Sequence, residues 1–501
     1  MGSDPQYVKW PLLPLAQHVF AATNPYTSNT LQEGAVKALQ DAITEHKMAP
    51  FYRYLAHPVE GVLHSVGKGG SNSQVPGKPR SRKSSISGGI IATKNPQSSV
   101  VLPWDEDLYQ KLKADNDREL EGFQKEEDEA VEQAGDTEVL AAKGKRAEFW
   151  ARVGDKDRAI AAYEELFEET GILGIKIDLV LAIIRMGLFY GDRLLVKKHV
   201  ERAKTLVDLG GDWDRRNRLK AYEGLYLITV RAYAAAAPLL LDSLSTFTSY
   251  ELCTYSSLVV YSVLAGSVAL KRVDFKSKVV DAPEIKAILG DGEDKLLALS
   301  GALSAGLGVD SSSSSSSDHE GGGAGAGAAA SKTTAVNLTT LGTSTEQPDA
   351  EMAIDFSPLA QLVSSLYNGH YKLFFQALAL VEESFLCQDR YLFEHKHWFI
   401  REMRLRAYQQ LLQSYRVVGL DSMAAEFGVT VDFLDRDLAN FIAAGRIACT
   451  IDRVTGNGII ETNRPDDKNK QYQDLVRQGD QLITKLQKYG QAVRLRGSER
   501  A

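Results

Sequence analysis

Two Gly-Asp dipeptides, Gly154-Asp155 and Gly191-Asp192, stand 37 residues apart, and each separates two amphipathic runs of helical period. Arg146 to Val153 and Arg158 to Glu168 flank the first, and Ile177 to Tyr190 and Arg193 to Val207 flank the second. In the run after the first turn, Ala159, Ala162, Tyr163, Leu166 and Phe167 recur at i, i+3, i+4, i+7 and i+8, which gathers them on one helical face. A helix pair of this length cannot bury that face by itself. It must stack on a neighbouring pair, so the chain is constrained to a helical repeat of tetratricopeptide-like spacing. Looser pairs follow in Arg218 to Val230 with Ala232 to Thr246, in Tyr250 to Val279, and in Leu359 to Phe385. Such a stack predicts a curved rod with a long surface for holding other proteins.

Two segments break this pattern. Gly61 to Trp104 contains no acidic residue but carries Lys68, Lys78, Arg80, Arg82, Lys83 and Lys94 among Gly, Ser and Pro. Gly290 to Phe356 holds the serine run Ser311 to Ser317 and the Gly/Ala tract Gly321 to Ala330. Neither carries enough apolar surface to offset its ordering entropy, so both read as disordered insertions. Flexible loops of this kind cost little, about 0.6 kcal/mol of closure entropy per doubling in length. The expected organisation is an N-terminal helical segment (1–60), a basic insertion (61–104), helical repeats (105–289), a second insertion (290–356), a last repeat (357–403), a winged helix (404–463) and a C-terminal helix (464–501). Within the repeats, Asp105 to Glu138 reads as one solvated helix with a narrow apolar stripe.

The winged helix is read from its order of elements. Arg404 to Val418 is an amphipathic helix, Asp421 to Phe427 a short helix, Gly428-Val429-Thr430 a turn and Val431 to Ala444 a third helix. Ile447 to Ile451 and Gly458 to Thr462 then form two strands around Thr455-Gly456-Asn457-Gly458. Such a fold can read DNA through its third helix. Here that helix carries Asp432, Asp435 and Asp437 against Arg436, and carboxylates repel phosphates, so a protein contact is expected instead. Val431, Leu434, Leu438, Phe441 and Ile442 on the other face are expected core. Lys+Arg of 58 against Asp+Glu of 65, a net charge of -7, likewise disfavours a polyanion partner.

No complete catalytic constellation emerges. His395-Lys396-His397 has the His-x-His spacing of a zinc hydrolase, but the position of the third ligand is Tyr408, and the histidines read as exposed or interfacial groups beside Trp398. Gly61 to Gly69 is one residue too long for a phosphate loop and has Gly69 where Ser or Thr should follow Lys68. The three cysteines, Cys253, Cys387 and Cys449, lie far apart, which excludes a disulfide scaffold and fits a reducing compartment. No signal segment or membrane span is expected, so Asn337-Leu338-Thr339 should stay unglycosylated. Arg80 to Ser85 and Ser317 to Glu320 offer hydroxyls in charged settings, as phosphorylation sites or as unmodified spacer. No metal, cofactor or enzymatic activity is expected.

The C-terminal helix is the strongest interaction signal. Tyr472, Gly479, Leu486 and Val493 recur every seven residues, and Leu475, Leu482 and Tyr489 form a second row, with Val476 and Ile483 beside them. Such a stripe suits another helix. Packing back on the winged helix is the alternative, since seam and core stripes look alike over three heptads. Tyr472, Leu475, Leu482, Ile483, Leu486 and Tyr489 are the candidate interface residues.

Helical repeats, a winged helix and a C-terminal helix in that order resemble the PCI family. Gly210 to Lys220 (GGDWDRRNRLK), Ser245 to Leu252 (STFTSYEL), Glu461 to Asp466 (ETNRPD), Phe441 to Arg446, Asn24 and Met48-Ala49-Pro50 resemble its proteasome-lid branch of the subunit-six type, over nearly all the chain outside the two insertions. The resemblance implies a non-catalytic scaffold in a hetero-oligomer, with other PCI and lid subunits as partners, the ATPase ring as a further candidate, and neither nucleic acid nor membrane. It implies winged helices arranged in a horseshoe, C-terminal helices gathered in one bundle, and a place in cytoplasm and nucleus. A signalosome PCI subunit, or an RNA-associated PCI protein of mRNA export or translation initiation, is the alternative.

Overall fold

The computed structural model describes residues 4–59, 61–63, 102–133, 135–290, 355–453, 458–462 and 467–498. Most of both expected insertions therefore lies outside the described residues, as do the Lys68-Gly69 motif, the serine run, Asn337 and the two phosphorylation candidates. The chain forms two compact units, Met1–Tyr367 with Ala377–Phe399, and Asn368–Gln376 with Ile400–Ala501. The architecture is a succession of helices followed, in the C-terminal region, by a small domain of helices and a three-stranded sheet and then a last long helix.

The first unit begins with α1 (Leu13–Thr23), α2 (Asn29–Glu45) and α3 (Ala49–Ala56), then α4 (Glu106–Gln133), α5 (Asp136–Val153), α6 (Lys156–Glu169), α7 (Leu173–Tyr190) and α8 (Arg193–Gly210). It continues through α9 (Trp213–Thr229), α10 (Tyr233–Ser243), α11 (Tyr255–Ala269), α12 (Arg272–Phe275), α13 (Pro283–Leu289) and most of α14 (Ser357–Asn368), while α15 (Tyr371–Val381) is divided, Tyr371–Gln376 falling in the second unit and the rest in the first.

The Gly-Asp turns work by caps at both ends. Gly154 closes α5 at φ 81° and Gly191 closes α7 at φ 71°, left-handed conformations that a Cβ would strain. Asp155 and Asp192 then start the next helix by accepting from the backbone N–H of Arg158 (3.2 Å) and Leu195 (3.1 Å). The two turns are tied together. Lys156 pairs with Asp192 at 2.8 Å, and the Tyr190 hydroxyl donates to the Gly154 carbonyl at 2.5 Å.

Helix α7 is the centre of this unit, buried on all sides from Ile177 to Tyr190. It takes two charges into the core. Asp178 accepts both arms of the Arg215 guanidinium (2.8 and 2.7 Å) and the Gln6 N–H (3.0 Å). Arg185 donates to the Tyr222 hydroxyl at 2.5 Å and to the carbonyls of Tyr7 and Trp10. The Tyr222 hydroxyl donates in turn to Glu251 at 2.9 Å. Buried charge is tolerated only with this degree of pairing, and it fastens the N-terminal segment onto α7 and α9.

Two details differ from the sequence reading. Asp105 to Glu138 is not one helix: Gly135 stands extended, and its N–H donates to Glu138 at 2.7 Å in a cap that starts α5 anew. Leu102 to Trp104, read as the end of the first insertion, are packed. Leu102 is buried, Trp104 stacks on Tyr52 at 4.9 Å, and the Pro103 carbonyl accepts from the Tyr52 hydroxyl at 2.7 Å.

The second unit holds most of α16 (Lys396–Leu412), then β1 (Val417–Gly419), α17 (Leu420–Phe427), α18 (Val431–Ala443), β2 (Cys449–Asp452), β3 (Ile459–Thr462) and α19 (Asp467–Ser498). Its sheet has the order β1-β3-β2, antiparallel throughout, with Val418 and Ile451 both opposite Ile460. Phe427 is the aromatic centre, 4.7 Å from Tyr371, 5.2 Å from Phe375 and 5.0 Å from Tyr408. Gly428 at φ 66° ends α17, and the Thr430 hydroxyl caps α18 by accepting from the Phe433 N–H at 3.4 Å.

Candidate functional site in the winged helix and C-terminal helix

Carboxylates of α18 are engaged within the fold. Asp437 accepts from the Tyr408 hydroxyl at 3.1 Å and faces Arg404 at 3.4 Å, and Asp435 pairs with Arg453 at 2.5 Å. Two of the three carboxylates on this helix thus serve the fold, and Asp432 is left exposed beside Arg436. The inner face is narrower than expected. Leu434, Leu438 and Phe441 are buried, whereas Val431 and Ile442 are half-buried at the helix ends. Phe433 points outward, 41% exposed, under the Arg404 guanidinium at 5.5 Å.

The His-x-His pair separates. His395 is buried, its Nε2 2.9 Å from the Thr229 carbonyl, while His397 is exposed. The expectation of two exposed or interfacial histidines therefore fails for His395, because successive ring positions flank a buried Lys396. That ammonium lies 3.6 Å from the Tyr26 ring and 4.4 Å from the Phe393 ring. Among the described residues no cluster of three His, Cys, Asp or Glu could hold a metal. The cysteines are free thiols, and burial pushes all three upward, which keeps them protonated. No helix among the described residues is long and apolar enough to cross a membrane.

Helix α19 presents the interface candidates. Tyr472 (66%), Leu475 (67%), Leu482 (62%), Ile483 (53%), Leu486 (63%) and Tyr489 (76%) are all exposed, with Val476 and Val493 beside them. At Gly479, in the same heptad row, an added Cβ would meet nothing within 4 Å. Every described side chain from 471 to 493 is exposed. The stripe therefore has no cover from the winged helix here, and each large apolar side chain left in water forgoes roughly 1.5–3 kcal/mol of burial.

Sequence reasoning missed Asp178, Arg185 and Arg215 as a buried network, since a lone Asp or Arg in an apolar run reads only as a break in the run. The one available signal was their setting: Asp178 and Arg185 are the sole charges between Ile177 and Tyr190.

Family comparison follows the same division of the chain. Residues 105–278 match the family described as 26S proteasome subunit RPN7, residues 368–464 match the PCI domain, and residues 471–493 match the 26S proteasome regulatory subunit RPN7/PSMD6 C-terminal helix. The last of these spans the exposed stripe. The chain is 35% identical over 486 residues to the 26S proteasome regulatory subunit rpn7 of Schizosaccharomyces pombe, covering 97% of each chain. It is 34% identical over 502 residues to RPN7 of Saccharomyces cerevisiae, covering 99% of this chain and 96% of that one. It is 36% identical over 394 residues to the 26S proteasome non-ATPase regulatory subunit 6 of Dictyostelium discoideum, covering 78% of this chain and 86% of that one. With helical repeats, winged helix and C-terminal helix each matched in order, the chain belongs to the RPN7/PSMD6 family of 26S proteasome regulatory subunits.

Proposed function

We propose that this chain is a scaffold subunit of the proteasome regulatory-particle lid, that α19 is its assembly handle, and that it performs no catalysis of its own. The observation that carries this reading is the stripe. Eight large apolar side chains on one helix, each 53% to 76% exposed, are a liability in a chain that works alone and an asset in one that joins a helix bundle. Other PCI and lid subunits are the partners this reading assigns, with the ATPase ring as a further neighbour. The internal use of Asp435 and Asp437, and the net charge of -7, support an assembly without nucleic acid. A signalosome or RNA-associated PCI role is not favoured, because the matched relatives carry proteasome names.

Replacing Leu475, Leu482 and Leu486 together with Asp tests the handle. Each Asp would place an unpaired charge in a helix seam at a cost of several kcal/mol, so incorporation should be lost. The side chains are exposed in the free chain, so its circular dichroism and melting temperature should not change. Normal incorporation of the triple variant would refute α19 as the handle. The reading also assigns the chain to cytoplasm and nucleus, and a tagged chain confined to any other compartment would oppose it.

A further inference from the structure

The apolar stripe of α19 is interrupted on its midline. The midline row, Tyr472, Gly479, Leu486 and Val493, is flanked on one side by Leu475, Leu482 and Tyr489 and on the other by Val476 and Ile483. Neighbours on a helix surface stand three and four residues apart, about 5–6 Å between Cβ atoms. The four neighbours of Gly479 are therefore Leu475, Val476, Leu482 and Ile483, all large, apolar and exposed, at 67%, 62%, 62% and 53%. Together they wall a socket whose floor is bare backbone.

Nothing inside the described chain calls for glycine at this position. Gly479 lies within α19 without the positive φ of the glycines that close α5, α7 and α17, and an added Cβ would meet nothing within 4 Å. Glycine is the weakest helix former after proline, so alanine would serve the free helix better. Gly490 shares that defect, but Gln487 is one of its neighbours, so no ring of apolar side chains surrounds it.

The borders of the stripe leave its register open. They are Gln471, Gln473, Gln478, Asp480, Lys485 and Gln487, one charge of each sign among glutamines. Paired helices take their register from charges at such bordering positions or from a distinctive residue in the seam. Here the charges are too few, and a uniform stripe would slip by a heptad. The socket supplies the distinctive position.

We propose that Gly479 is the floor of a socket that receives one large apolar side chain, aromatic or leucine, from a helix of a neighbouring regulatory-particle subunit, and that this contact fixes the register of α19 in the assembly. The four walls close around that side chain as a hole closes around a knob, and a small side chain there would leave a void. The inference deepens the reading of α19 as the assembly handle and rests on it.

Competition in cells tests it. Full-length wild type and a variant with a different tag are expressed at equal levels, and their ratio is read in the purified native assembly. Gly479→Ala should be under-represented about five-fold and Gly479→Leu at least about ten-fold, because each overfills the socket, while Gly490→Ala should match wild type. In the isolated full chain, Gly479→Ala should slow hydrogen exchange of the α19 amides about five-fold, since alanine strengthens the helix. A position that served only to form the helix would not give a firmer helix and poorer assembly together. Equal incorporation of Gly479→Ala and Gly479→Leu, with the triple Asp variant of Leu475, Leu482 and Leu486 excluded, overturns the socket and leaves the handle standing. Normal incorporation of that triple variant overturns the handle and the socket with it. Equal loss in Gly479→Ala and Gly490→Ala also overturns the socket, because helix stiffness would then be the cause. So does a concentration-dependent dimer of the isolated chain in sedimentation velocity that Gly479→Leu abolishes, which would assign the socket to a second copy of the chain.

Discussion

Arg215 and Asp178 are 2% and 1% exposed, so their pairing is held away from water on both sides. The hydrogen bonds it donates to the Asp178 carboxylate hold the Arg215 guanidinium above its ordinary value, which keeps it charged. Arg215→Ala would leave Asp178 buried without its cation, with the Gln6 N–H still donating to it, and a stability loss of about 3–5 kcal/mol is expected in urea unfolding. His199 gives a pH-dependent counterpart. It is fully buried on α8, neither ring nitrogen has a hydrogen-bond partner, and burial with the nearby Lys198 and Arg202 lowers it to about 4 against the partial opposition of Glu164. Its folded value lies below its unfolded one, so the unfolded chain binds the extra proton between about pH 6.5 and 4. Stability is complete above that window and falls on acidification through it, by up to about 1.4 kcal/mol per pH unit from this group. His199→Leu should flatten the wild-type slope between pH 6.5 and 5, and an unchanged slope would assign it to other groups. Neither residue was legible beforehand, because burial of a lone His or Arg depends on which helices surround it.

At the scale of elements, the sequence was informative wherever local chemistry and packing agree. The Gly-Asp turns were legible because the left-handed cap needs Gly and the following N-cap needs a short acceptor, and both needs are met at adjacent positions. Gly154→Ala should therefore cost at least about 1–2 kcal/mol from the positive φ alone. More is expected from the approach of the new Cβ to 2.7 Å from Phe51, and a melting temperature equal to wild type would contradict the turn geometry. Strand β1 was not legible: three residues after a long amphipathic helix give no period, and their strand character comes from pairing with β3, over forty residues later. The break at Gly135 was hidden for a related reason, since charged residues on both sides read as one solvated surface. The stripe of α19 was legible in full as a pattern, yet its pattern alone left two readings open, a core seam or an interface. Leu475, Leu482 and Leu486 are exposed, and this exposure supports the proposed interface.

For the whole molecule, the order of repeats, winged helix and terminal helix was readable because each rests on a different periodicity. The buried charges that fasten the N-terminal segment to α7 and α9 were not readable, since they join residues more than 170 positions apart. On the function proposed above, this chain works as one member of a larger assembly held through α19. Native mass measurement of the complex purified through a tag on the full chain tests it most directly. The expected result is a species far above 55.0 kDa containing other regulatory-particle subunits, reduced to the lone chain by the triple Asp substitution of Leu475, Leu482 and Leu486. A monodisperse 55.0 kDa species from the wild-type chain would contradict it.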